Sequence, residues 1–206
     1  MTNIYTLMDF SRSEIETAVK RLDYNWFEKG NYNLNIVGIR NMDTNYQITD
    51  KFDDLLTISY KIDELWYIHK FSATTDPGKY WTENLINPNG AAILVPGQYK
   101  GAYKIGMHQG KYKALKQSKP VRVFRDDNRD ECFDLDDNRI QEGIFGINIH
   151  RASSYTTSTQ IGKWSAGCQV IANNKNFDKL MDLASKSSTL WGDSFTYTLI
   201  TSHDIY

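Results

Sequence analysis

Leu55-Leu56-Thr57-Ile58-Ser59-Tyr60-Lys61-Ile62 and Leu65-Trp66-Tyr67-Ile68-His69-Lys70-Phe71 decide the class of fold. Both are short runs of β-branched and aromatic residues, whose stiff χ1 and flat bulk suit a pleated surface better than a helix. The same texture recurs along the chain. Residues 36–39, 91–95, 103–107, 121–124 and 144–149 are further strand candidates, and a strand over 195–201 closes the sequence. Asp76-Pro77-Gly78, Asn87-Pro88-Asn89-Gly90 and Pro96-Gly97 separate them with residues that favour tight reversals.

Helices are fewer. Ser11 and Glu14 have the spacing of a capping box, and Ile15, Val19, Leu22 and Trp26 recur at helical spacing until Gly30 offers a stop. This makes residues 1–30 an N-terminal helical segment. Phe177, Leu180, Met181 and Ala184 line a second helix, capped by Asn173 or Asn174. With no internal repeat and no low-complexity linker, the chain is expected to form one α+β domain over 1–206, mainly β with a few peripheral helices.

At 206 residues and 40% hydrophobic, the chain can bury one sizeable core. Its 24 basic and 25 acidic side chains leave no global charge to draw it to nucleic acid or an anionic membrane. The apolar runs are too short for membrane insertion, and the first ten residues lack the basic and apolar regions of a signal peptide. A soluble protein of cytoplasmic synthesis is expected, and no cofactor is implied.

The chemistry concentrates in Gly146-Ile147-Asn148-Ile149-His150-Arg151-Ala152-Ser153-Ser154 and Ile161-Gly162-Lys163-Trp164-Ser165-Ala166-Gly167-Cys168-Gln169-Val170. A histidine ends a strand, and a cysteine follows in a turn of small residues. Such a turn lets backbone amides approach a developing oxyanion. A thiol with pKa near ~8.5 needs a neighbour to take its proton, and imidazole does this and can then pass the proton to a leaving amine. Cys168 is therefore the nucleophile candidate, His150 its base, and Cys168 is expected to be the more reactive thiol. Cys132 and Cys168 lack metal-ligand spacing and a Cys-x-x-Cys pattern. Cys132 reads as a packing residue, and thiol redox sensing through the pair is the weakest functional reading.

The His, the Ile-Gly-Lys segment and the Ser-x-Gly-Cys turn resemble the signature of the L,D-transpeptidase catalytic domain, the cysteine enzymes that remodel peptidoglycan. The match spans roughly residues 145–171, with support from Val95-Pro96-Gly97 and the strand after it. The resemblance implies a β-sandwich or open-barrel core and cysteine-dependent acyl transfer on peptidoglycan stem peptides, by hydrolysis or transpeptidation. It puts Cys168 at the nucleophile and His150 at the base, matches Ser165 and Gly167 to the turn, and places the amides of Gly167 and Cys168 near the oxyanion. Two positions depart from the pattern: Ala166 stands where members often carry a second histidine, and Gln169 and Val170 where an arginine or asparagine is common. Arg151 or Lys163 then falls to the substrate carboxylate, and Trp164 is either an aromatic wall of the cleft or core.

A wider stretch, from Thr74-Thr75-Asp76-Pro77-Gly78 through Val121-Arg122-Val123-Phe124-Arg125-Asp126 to Gly167-Cys168, looks like proteins of bacteriophage and prophage. This resemblance implies a wall-opening role after release or delivery. The alternative is a catalytically inactive wall-binding or virion module. Asp126, Asn128, Asp130 and Asp134, followed by Asp137, have calcium-loop spacing, but Glu131 stands where such loops need glycine, so a solvated acidic turn is favoured. His69 and His108 read as surface histidines.

Overall fold

The computed structural model describes residues 4–205. Helices α1 (Ile4–Asp9) and α2 (Arg12–Arg21) come first. At α2 the capping box forms as the sequence predicts: Ser11 Oγ accepts the Glu14 N–H at 3.2 Å, and the Ser11 N–H donates to the Glu14 carboxylate at 2.7 Å. The helix ends at Leu22 and not at Gly30. Asp23 turns to positive φ, and the amides of Leu22, Asp23 and Tyr24 bond back to Ala18, Lys20 and Val19. Trp26 is thus off the helix, yet the chain that follows returns it to the apolar cluster of Ile15 and Val19. The helical part of residues 1–30 is confined to α1 and α2, with residues 1–3 outside the described chain.

Among the described residues eleven strands follow: β1 (Asn35–Arg40), β2 (Asp54–Ile62), β3 (Leu65–Thr74), β4 (Ala91–Leu94), β5 (Gly97–His108), β6 (Tyr112–Gln117), β7 (Val121–Asp126), β8 (Gln141–Gly143), β9 (Ile149–Arg151), β10 (Gln169–Ile171) and β11 (Phe195–Thr201). The protein is mainly β. Helix α3 (Lys79–Glu83) lies between β3 and β4, and α4 (Asn174–Trp191) between β10 and β11. The strands β1-β11-β5-β6-β9-β10-β3-β2 form a closed barrel, and β4-β7-β8 form a small second sheet. Where a sandwich or open barrel was expected, the ring is complete, though β6 and β9 join it through only one pair, Leu115 with Ile149. Phe177, Leu180, Leu183 and Ala184 of α4 belong to the barrel's core cluster, and Asn173 rather than Asn174 caps the helix.

The strand expected over 144–149 does not form. The amides of Phe145, Gly146 and Ile147 converge on one acceptor, Gln117 Oε1, at 3.1, 2.9 and 2.9 Å. A segment wrapped around a side-chain oxygen cannot offer those amides to a neighbouring strand. Regular pairing resumes only at β9. Among the described residues, no helix is long and apolar enough to cross a membrane.

Candidate active site

Strands β9 and β10 are parallel neighbours, with Gln169 opposite Ile149 and Val170 opposite His150. The Gln169 N–H donates to Asn148 O at 2.9 Å, so Cys168 stands beside Asn148. His150 is then one strand across and two residues along from Cys168, roughly 8 Å between Cα atoms at ordinary strand spacings. Both residues line one cavity of 650 Å³.

His150 is 3% exposed, and its hydrogen bonds define its tautomer. Nδ1 lies 2.7 Å from Arg151 O. A carbonyl only accepts, so Nδ1 carries the hydrogen and Nε2 keeps the basic lone pair. The Tyr112 hydroxyl donates to the same carbonyl at 3.3 Å. Burial, and then the neighbouring His108, push the imidazole pKa down to about 3, with the Arg151 carbonyl opposing them.

The Cys168 thiol is half-buried and suspended between two backbone groups. It accepts the Asn148 N–H at 3.4 Å and donates to Gly146 O at 3.3 Å. Burial raises its pKa to about 11 against the lowering effect of the Asn148 amide. At neutral pH the resting pair is a thiol and a neutral imidazole, not a thiolate and an imidazolium.

The turn before Cys168 is built by Ser165, which is fully buried. Its Oγ donates to Cys168 O at 2.8 Å and accepts the Gly167 N–H at 3.1 Å. Gly167 has φ of +119°, and a Cβ there would meet Ala92 O at 2.3 Å, so no other residue fits without a shift. This corrects one expectation. The Gly167 amide, expected to face an oxyanion, is spent on Ser165, while the Cys168 amide has no partner among the described groups.

The other site residues surround the same cavity. The Arg151 guanidinium lies 4.2 Å from the centroid of the Tyr112 ring, and Lys163 Nζ 4.2 Å from that of Tyr80. Trp164 is exposed and lines the cavity, so it is wall and not core, while Tyr155 is exposed and does not line it. Ala166, Cys168, Trp81 and Ile86 also line a second, neighbouring cavity of 310 Å³. Gln169 faces the barrel interior, where its Oε1 accepts the Tyr197 hydroxyl at 2.7 Å, and Val170 is fully buried. Neither lines the cavity.

Several residues went unread in the sequence. His108 is 7% exposed, not a surface histidine, and its ring stacks on His150. Asn148 Oδ1 accepts the Gln117 N–H at 2.9 Å, which turns its Nδ2 toward His108 Nδ1 at 3.2 Å. His69 is only partly at the surface: it is half-buried between Tyr60 and Phe71, 3.2 Å from the Tyr60 hydroxyl. Cys132, expected to pack, is exposed and is thus the more accessible thiol of the free protein. In the acidic segment, Asn128 Nδ2 donates to both Asp130 and Asp134, and Asp126 is buried, so the turn is only partly solvated. No group of three or more His, Cys, Asp or Glu side chains among the described residues is arranged to hold a metal ion.

Comparison with protein-family models, curated proteins and solved structures finds no match to this chain.

Proposed function

We propose that the protein is an L,D-transpeptidase-like cysteine acyltransferase that acts on peptidoglycan stem peptides, on a barrel related to that family's core. The observation that carries this reading is the pair itself. Cys168, just ahead of β10, and His150, on its parallel neighbour β9, border one cavity, with the Nε2 lone pair of His150 left free.

In the reaction, the Cys168 thiol gives its proton to His150 Nε2 as sulfur bonds to the peptide carbonyl carbon. The oxygen takes the electron pair and meets the Cys168 amide, a donor already fixed by the Ser165 turn. As the tetrahedral centre collapses, the C–N bond breaks and the imidazolium protonates the leaving amine. A thioester remains on Cys168. Water resolves it in a peptidase and a second amine in a transpeptidase, and a phage-borne enzyme would use water to open the wall. Incubation with purified peptidoglycan tests this: new free amines mark hydrolysis, new crosslinks mark transpeptidation, and a trapped acyl group should map to Cys168.

A second reading, an inactive wall-binding module, draws on one observation. Both groups are neutral at rest, with the thiol at about 11 and the imidazole at about 3, so the proton transfer that opens the reaction is uphill. A substrate that expels water and places its carbonyl against the Cys168 amide offsets that climb in the enzyme; an idle cleft has no such partner.

A further inference from the structure

Arg125, on β7, is 5% exposed. The other buried arginine, Arg40, is ion-paired with Asp76 at 2.9 Å. Arg125 has no such partner among the described residues. Its Nε donates to Gln141 Oε1 at 2.9 Å and its Nη1 to Gly90 O at 3.1 Å, both neutral acceptors, and the guanidinium lies 4.9 Å from the centroid of the Phe145 ring. These contacts fix the plane of the group and leave Nη2 without a hydrogen bond. Burial alone shifts its ionisation, downward; no nearby carboxylate acts on it. A buried cation without a counter-ion is costly, and the cost is recovered when an anion arrives.

The wall that Arg125 shares decides where the anion sits. Arg125 and Cys168 line the same 310 Å³ cavity, together with Trp81, Phe145 and Ala166. Among the described residues, Arg125 is the one charged residue lining it. We propose that Arg125 is the receptor for a carboxylate of the peptide bound at Cys168, held in this cavity by the free edge of the guanidinium. The inference rests on Cys168 being the nucleophile of a peptide site, and it names what the site recognises there. A single pre-oriented guanidinium in a mostly apolar hollow matches one planar carboxylate in charge and shape. Arg151, half-buried, and Lys163, exposed, lie over tyrosine rings in the larger cavity, where screening weakens a charge's pull.

The test uses protection of Cys168 from iodoacetamide in the full chain carrying Cys132→Ser, at pH 9 and constant ionic strength. Each enantiomer of N-acetylalanine is compared with its carboxamide. The acid should slow alkylation of Cys168 at concentrations where the amide does not. Arg125→Gln should abolish that difference, Arg125→Lys should retain part of it, and Arg151→Gln and Lys163→Gln should leave it in place. Equal effects of acid and amide, no protection by either, or protection that survives Arg125→Gln would overturn the proposal. The acid–amide comparison on unaltered Arg125 stands even if the Gln variant does not fold. Turnover of peptidoglycan without acid preference would sink Arg125 but keep the enzyme; acid preference without turnover would do the reverse.

Discussion

The imidazole of His108 lies on that of His150, ring centroids 4.1 Å apart and planes 23° from parallel. Because a proton on one ring opposes a proton on the other, His108 helps to hold His150 neutral. His150 must be neutral to accept the thiol proton, so activity should persist above its pKa and fall as pH drops through it. With that pKa near 3, kcat/KM should stay level from neutrality down to about pH 4. His108→Phe keeps a stacked ring but removes the charge, and should move the acid limb toward neutral pH. A wild-type limb near the ordinary imidazole value would mean that burial and His108 do not depress the His150 pKa.

Gln117 orders the loop that receives the thiol. Its Oε1 holds three backbone amides, and its Nε2 donates to Lys119 O and Gly143 O at 2.9 and 2.8 Å. Gln117→Ala leaves these groups unmatched at about 1–3 kcal/mol for each that water does not reach, so a total loss above about 3 kcal/mol is expected. Urea unfolding measures it. A loss below 1 kcal/mol, on the order of a single ordinary hydrogen bond, would show that the loop holds its shape without Gln117.

Two neighbours in the turn should respond in opposite ways. Gly167→Ala drives a Cβ into Ala92 O and imposes a side chain at φ of +119°, so it should abolish stable folding. Ala166 is half-buried and borders both cavities, so the imidazole of Ala166→His projects into open space and the fold should survive. Thermal unfolding of the two variants side by side checks the contrast.

Asp126 carries a carboxylate oxygen, Oδ2, with no hydrogen-bond partner, and is 2% exposed. Burial first, and then Asp134 and Asp130, raise its pKa to about 6. The folded state therefore binds this proton more tightly than the unfolded chain, and its contribution to stability falls as pH rises from about 4 to about 6. Asp126→Asn removes the charge, and should stabilise by about 1–3 kcal/mol at pH 8 with a much smaller gain at pH 4. Equal effects at both pH values would show that ionisation of Asp126 does not matter.

What the sequence made legible were features whose cause is local. The Ser11 box, the Asn173 cap and strand β11 rest on neighbouring residues, and so do the runs that became β2 and β3. The small-residue turn before Cys168 was legible because it is local too, whereas His150 lies within β9 and not at the end of a strand over 144–149. The failures have distant causes. Residues 144–148 have strand composition, but their amides are claimed by Gln117, on β6. His108, beside a glycine turn, gives no sign that β5 will carry it beneath His150. Arg125 reads as one more charge on a strand until Gln141 and Gly90 are seen to enclose it without an acid.

The most direct test of the central claim is turnover of purified peptidoglycan by wild type, His150→Ala and Cys168→Ser, with wall binding measured on the same samples. His150→Ala should keep the fold and the binding yet lose about a hundred- to ten-thousand-fold in rate, as expected for loss of a general base. Cys168→Ser should lose at least as much, because a hydroxyl in a site shaped for sulfur is the weaker nucleophile at neutral pH. If wild type releases no amine and forms no crosslink while all three proteins bind the wall equally, the catalytic account is contradicted and Cys168 lies in an idle cleft.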